Sequence, residues 1–116
     1  MPEDYSMPED YITLVTRLKA SGIPFAEYSW DKRPAGDSGV VALEFEADHL
    51  NGDDRKAARA FEGSVDLFMR GRDTTKIATV EGILTDVCEG CWRVNNIQYE
   101  NETGMIHYEW VFQVEG

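Results

Sequence analysis

The C-terminal part of the chain has the most regular alternation of apolar and polar residues. Every second residue from Ile106 to Val114 is large and apolar, which is typical of a strand with one buried face. Trp92 to Tyr99 is predicted as a second strand, and Glu100 to Gly104 between the two predicts a hairpin. We expect one face of the last strand to lie in the core. That face consists of Ile106, Tyr108, Trp110, Phe112 and Val114.

Two segments have apolar residues at helical spacing. The first follows Ser6–Glu9, whose residues fit a capping box with proline in the first turn, and it stops at Gly22. The second begins after Asp73, which is predicted to cap it. The two apolar stripes are Tyr11, Leu14, Val15 and Leu18 in the first helix, and Ile77, Val80, Ile83, Leu84 and Val87 in the second.

Three more strands are predicted between the helices. They run from Phe25 to Trp30, from Val40 to Glu46 and from Ala57 to Arg70, with Gly63 as the place for a bend in the third. The order α-β-β-β-α-β-β predicts an α+β fold, in which a mostly antiparallel sheet has two helices packed on one face. We expect one domain over residues 1–116. Residues 1–6 lack apolar periodicity and are expected to form a loose N-terminal tail.

The charge balance narrows the classes of partner. The chain has 22 acidic and 11 basic residues, a net charge of −11. Nucleic-acid binding usually depends on a basic face, so this balance argues against specific binding to DNA or RNA. The apolar runs are too short for a membrane span or a signal peptide, which predicts no membrane partner and a cytosol-like compartment.

The charges are unevenly distributed along the chain. Six bases lie within residues 55–76, whereas the segment from Asp86 to the end has six acids and one base, Arg93. These segments are either two solvated faces or complementary surfaces for self-association. Tryptophans concentrate at interfaces and extend the list of candidates. The candidate interface residues are Arg55, Lys56, Arg59, Arg70, Arg72, Trp30 and Trp92.

The sequence contains no recognised catalytic motif. A nucleophile elbow, a phosphate-binding P-loop and the zinc-protease motif are all absent. Cys88 and Cys91 form one C-x-x-C, which lacks the second ligand pair of a structural zinc site and follows a helix instead of opening one. Ordinary thiols are the favoured interpretation, with metal binding and redox chemistry as alternatives. We therefore expect a protein that is not an enzyme and has no cofactor, no metal and no catalytic residues.

Several short segments occur in the order and spacing of a known family. They are Ile23-Pro24-Phe25, Tyr28-Ser29-Trp30, Ala47-Asp48, Val65–Met69, Gly71-Arg72-Asp73, Glu81 and Tyr108–Phe112. In this arrangement the chain, from Pro8 to Val114, resembles the tail-completion or tail-terminator proteins of long-tailed bacteriophages. It departs from their pattern at Gly39-Val40-Val41, where a proline and a tyrosine are common, and at Phe68-Met69, where Tyr-Thr is common.

The resemblance implies a structural protein of a virion. Such a protein forms a homo-oligomeric ring, commonly a hexamer, that caps the head-proximal end of the tail tube and joins the tail to the head. Its implied partners are further copies of itself, the tail tube protein and the head-tail connector protein, with DNA passing through an acidic lumen. The implied location is the virion tail, and the host cytoplasm during assembly. The alternatives are a head-completion or connector protein of the same particle, or a small cytosolic protein-binding module unrelated to phage.

Overall fold

A computed structural model of the protein describes residues 7–47 and 60–115. The elements are α1 (Glu9–Lys19), β1 (Phe25–Glu27), β2 (Ser38–Ala47), β3 (Ala60–Met69), α2 (Thr74–Cys88), β4 (Trp92–Glu100) and β5 (Met105–Glu115). One sheet has the strand order β1-β2-β3-β5-β4, and only the β1–β2 pair is parallel. The predicted α+β fold and its element order are confirmed. The predicted N-terminal tail lies outside the described residues.

Both helices pack on the same face of the sheet, which we call the helix side. Alternation along β3 and β5 directs one set of side chains to this side and the other set to the opposite, open side. The predicted core face of β5 is confirmed, with Trp110 fully buried. The buried residues of this core are Tyr11, Leu14, Val15 and Leu18 of α1, Val80, Ile83, Leu84 and Cys88 of α2, Ile23 before β1, and Phe25, Val41, Val65, Leu67, Met69, Tyr108, Trp110, Phe112 and Val114 of the strands.

The helix ends agree with the sequence at α2 and differ at α1. Asp73 caps α2 as predicted, since its carboxylate accepts hydrogen bonds from the backbone N–H groups of Thr75 and Lys76. The capping box predicted for the first helix is wrong. Pro8 occupies the N-cap in an extended conformation, with φ −57° and ψ 142° and no side-chain cap. A helix that starts at Glu9 begins too late for Ser6 to act as its cap.

The first predicted strand is shorter than its alternating pattern indicated. β1 ends at Glu27 because Tyr28 adopts a positive φ of 71°, which breaks the extended conformation. The Tyr28 N–H still donates to the Val41 carbonyl at 2.9 Å, and its hydroxyl donates to the Leu43 carbonyl at 3.2 Å. Trp30 therefore lies after the strand, not within it.

β3 continues through Gly63, and this glycine leaves space for the ring of Phe112. Gly63 stands opposite Phe112 of β5 and Leu43 of β2. A Cβ atom at this position would collide with the Phe112 ring and with the Ala42 carbonyl oxygen. The bend considered for this strand is not required, because the glycine admits a buried aromatic side chain at the centre of the sheet.

We expect Gly63→Ala to lower the free energy of unfolding by about 1–3 kcal/mol, since the backbone carbonyl cannot move away as a flexible side chain could. Gly82→Ala is the matched control. Gly82 lies within α2 with open space around its Cα, so its replacement should stabilise the protein by about 0.5–1 kcal/mol. Urea denaturation of both variants measures the two signs. A neutral Gly63→Ala would mean that the Phe112 ring packs elsewhere.

Trp110 joins the sheet to the second helix. Its ring is fully buried, and its indole N–H donates to Glu81 Oε2 at 2.9 Å. We expect Trp110→Ala to cost about 3–5 kcal/mol of unfolding free energy, because a large buried ring leaves a cavity. Trp92→Ala, at a half-buried site in β4, should cost clearly less. Equal losses in chemical denaturation would contradict the difference in burial.

Candidate interaction surfaces

The open side of the sheet is dominated by acidic side chains. Register places Glu62 and Asp66 of β3 and Glu109 of β5 on this side, since their neighbours in each strand point to the core. Glu44 belongs to the same side because its carboxylate accepts a hydrogen bond from Ser64. We call the set the carboxylate face. Its members are Glu44, Glu62, Asp66, Glu100 and Glu109.

A histidine lies within the carboxylate face. His107 Nε2 is 2.7 Å from Asp66 Oδ1, and its Nδ1 is 3.7 Å from Glu100 Oε2. The imidazole also stacks on Phe68 at a centroid distance of 4.2 Å. Arg33 lies over the Phe68 ring, with its guanidinium carbon 4.3 Å from the ring centroid. This end of the open side is therefore a packed polar cluster in which charged groups already have partners.

β4 forms one edge of the sheet and is exposed over most of its length. No described strand pairs with its outer side. Val94, Ile97 and Tyr99 are opposite Trp110, Tyr108 and Ile106, so they point to the helix side. They remain 39%, 54% and 61% exposed because α2 does not extend over them. These three apolar side chains form the uncovered part of the helix side, which we call the β4 row.

The arginines predicted at an interface lie at the corner where β3 leads into α2. The Arg70 guanidinium donates to the Ala35 carbonyl at 3.0 Å, and Arg72 Nε donates to the Tyr108 hydroxyl at 2.9 Å. Both side chains therefore make contacts within the chain. Their role between copies of the protein stays a prediction. Arg55, Lys56 and Arg59 lie outside the described residues.

Asp37 connects three segments at this corner. Its carboxylate accepts hydrogen bonds from the Arg70 backbone N–H at 3.0 Å and from Lys76 Nζ at 2.8 Å. Burial alone would raise the pKa of Asp37, but these hydrogen bonds and the two positive charges outweigh it and hold the pKa below its usual range. The loop before β2 is thereby attached to the end of β3 and the start of α2.

The two tryptophan candidates lie near opposite edges of the sheet. The Trp30 indole N–H donates to the Gly39 carbonyl at 3.2 Å, beside the β1 edge. The Trp92 indole N–H donates to Thr85 Oγ1 at 3.0 Å, where β4 begins under α2. Each ring is half-buried, so each adds apolar area to the surface beside it. Their participation in an interface stays a prediction.

The two cysteines are in different environments. Cys88 is buried at the end of α2 and Cys91 is exposed, and both are free thiols. Burial, with smaller contributions from Cys91 and Asp10, raises the pKa of the Cys88 thiol to about 12. Cys88 therefore stays a neutral core side chain. Within residues 7–47 and 60–115 no group of three or more His, Cys, Asp or Glu side chains could hold a metal ion. The helices in these ranges are also too short or too polar to cross a membrane.

Comparison with known proteins gives similarity to solved structures alone. No protein-family model matches the chain, and no curated protein matches it. Among solved structures, a chain from the "Virion of native gene transfer agent (GTA) particle" has 16% sequence identity and a TM-score of 0.48. The similarity covers 92% of each chain.

The β4 row was not predicted from the sequence. Val94, Ile97 and Tyr99 were assigned to a strand, but nothing local indicated that the strand is at an edge. The available signal was the absence of charge between Arg93 and Glu100 in a strand that lacks the regular apolar alternation of β5. The carboxylate face was missed for the same reason, since its members come from four strands.

We expect Asp37→Asn to lower the unfolding free energy at pH 7 by about 1–3 kcal/mol, because charge-assisted hydrogen bonds are lost. A lowered folded-state pKa gives stability above the unfolded-state pKa of about 3.9, and this stability is lost as the pH falls through the folded-state value. The wild-type advantage should therefore shrink below about pH 4 and disappear once the pH is below the folded-state pKa of Asp37. Denaturation at pH 7, 5 and 3 measures it.

Asp86→Asn is the matched control for this experiment. Asp86 pairs with Arg17 at 3.2 Å, but its side chain is 64% exposed, compared with 16% for Asp37. An exposed pair contributes at most about 1 kcal/mol, so this variant should remain close to the wild type. A pH-independent loss in Asp37→Asn would show that shape, not charge, is important at the corner.

Proposed function

We propose that this protein is a structural component of a phage-like virion, a tail terminator that assembles into a ring at the head-proximal end of the tail tube. Two arguments support the proposal. The order and spacing of short segments from Pro8 to Val114 are similar to the tail-terminator proteins. The α+β fold of the chain has the element order on which that resemblance depends. The role is structural, not enzymatic.

The carboxylate face is the observation that carries the proposal. A ring through which DNA passes needs an inner surface that does not retain phosphate groups. The five carboxylates outnumber the two arginines on this side, Arg33 and Arg93, so the face repels phosphates, whereas a basic face would bind them through counterion release. We therefore place the carboxylate face at the ring opening. The helix side then faces outward, and the partners are further copies of the chain, the tail tube protein and the head-tail connector.

Electron microscopy of the purified protein, together with its mass in solution, tests this proposal. The expected result is a closed ring, with six copies as the first expectation, and the carboxylate face lining the opening. Rings with another copy number would favour the head-completion or connector role. A compact monomer at all concentrations would favour a small binding module and contradict the proposal.

A charge-reversal pair tests the role of the face independently of imaging. Glu62→Lys with Glu109→Lys should produce salt-sensitive binding to double-stranded DNA, which the wild type should lack. Glu9→Lys with Asp10→Lys makes the same charge change on the exposed first turn of α1. This control pair should bind DNA less, because its lysines lie outside the opening. Equal binding by both pairs would remove the carboxylate face from the proposal.

A further inference from the structure

β4 is an edge strand with little protection against pairing. Natural edges are shortened, charged, bulged or interrupted by proline, because their free N–H and C=O groups can pair with another chain. β4 has nine residues, and the six from Val94 to Tyr99 include no charge and no proline. One bulge at Asn95 is the only interruption, and Arg93 and Glu109 hold the Asn95 side chain. An uncharged strand of this kind favours pairing with a further strand.

Two copies of β4 placed side by side in antiparallel orientation present complementary residues to each other. Eight residues pair with β5, and Asn95 is the extra residue of the bulge. Trp92, Val94, Ile97 and Tyr99 lie on the helix side, and Arg93, Asn96, Gln98 and Glu100 lie on the open side. If Asn95 is left out of the count, residues at equal distances before and after Ile97 lie on the same face of the sheet. Asn96 and Gln98 form the first such pair, and Val94 and Tyr99 form the second.

We propose that β4 pairs antiparallel with β4 of a second copy of this chain, with Ile97 on the two-fold axis. In this register Arg93 is opposite Glu100 of the second copy, which pairs opposite charges. Val94 is opposite Tyr99 of the second copy, which pairs apolar side chains from the β4 row. Asn96 is opposite Gln98 of the second copy, which pairs two amides. Each of these contacts occurs twice, because a two-fold interface is the same for both copies.

The opposite edge of the sheet is a poorer partner for β4. β1 has only three residues, and the Tyr28 hydroxyl already donates to the Leu43 carbonyl beyond it. Pairing between β4 and β1 would leave most of β4 without a partner. The two-fold arrangement instead pairs β4 from Arg93 to Glu100 and gives a continuous ten-stranded sheet, twice the five strands of one copy, with the described helices on one face.

The surface beside the β4 row has room for the second copy. Trp92 lines an open depression together with Ala78, Gly82 and Thr85 of α2. Tyr99 of the second copy, opposite Val94, would lie next to this depression. Pairing of one nine-residue edge buries less area than a standard interface, so we expect a weak dimer whose population depends on protein concentration.

This inference does not depend on the proposed function. The two-fold contact uses the β4 edge, including Glu100, and leaves the β1 edge and the other four members of the carboxylate face free for the head-to-tail contacts of a ring. The dimer is therefore expected in the purified protein whether or not rings form.

Cysteine cross-linking tests the register directly. Ile97→Cys in a Cys91→Ser background should give a disulfide-linked dimer on mild oxidation, since directly opposed residues approach to about 5 Å between Cβ atoms. Tyr99→Cys in the same background is the matched control, with the same face and similar exposure. It should give no disulfide-linked dimer alone, because its two copies are four residues out of register, but it should cross-link when mixed with Val94→Cys.

Charge variants test the same register without oxidation. Sedimentation should detect wild-type dimers, and Arg93→Glu should weaken the dimer roughly tenfold by placing like charges opposite each other twice. Arg93→Glu with Glu100→Lys should restore the dimer. Melting curves check that each variant folds.

The outcomes separate the possibilities. Cross-linking of Ile97→Cys but not of Tyr99→Cys alone, with rescue by the double charge variant, supports the two-fold pair. Equal cross-linking of both single cysteines would indicate random collision and overturn the proposal. A wild type that stays monomeric at about 100 μM would also overturn it, and would assign the edge to a different protein. Rings without the Ile97→Cys cross-link would retain the proposed function and reject this contact.

Discussion

The structure depends on a difference in width between its two layers. Two helices side by side are narrower than the five-stranded sheet whose face they cover. Helices pack about 10 Å apart and strands about 4.8 Å apart, so each helix covers roughly two strands. Two helices therefore cover about four strands of the five. α2 lies over β5 and the start of β4, and the rest of β4 projects beyond it. The exposed β4 row is a direct consequence.

Aromatic residues with a polar group link the two layers. Trp110 donates to Glu81 of α2, and the Tyr11 hydroxyl donates to Glu27 of β1 at 2.9 Å. Each of these side chains buries an apolar ring while its polar atom reaches a partner at the margin of the core. Burial, together with the neighbouring carboxylate of Glu27, raises the pKa of Tyr11 well above its usual range, so its hydroxyl stays a donor. Among the described residues, Ser38 Oγ is the buried side-chain atom without such a partner.

The same difference in width separates the surface into parts with different chemistry. No helix among residues 7–47 and 60–115 packs on the open side, and its strands carry carboxylates, most of them half-buried. The β4 row lies on the helix side but beyond the helices, so it is apolar and exposed. The acidic side suits a surface that must avoid phosphate groups, and the apolar row suits contact with protein. The proposed ring opening and the proposed two-fold contact thus use different parts of one sheet that share Glu100.

The sequence by itself determined the elements and the buried face of most of them. Period-two alternation in β5 and helical spacing in α1 and α2 are local properties, and Asp73 is a local cap, so all were predictable. Two predictions failed, the length of β1 and the cap of α1. They failed because the periodic pattern of apolar residues specifies neither the positive φ of Tyr28 nor the N-cap position of Pro8.

Only the tertiary structure decided the order of the strands. β5 inserts between β3 and β4, so Trp110 became a core residue while Trp92 stayed near an edge. It also decided that Arg70 and Arg72 have partners within the chain, and that the acids of four strands meet on one face. Strand order and edge position are set by pairing between residues far apart in sequence, and no local spacing of apolar residues specifies such pairing.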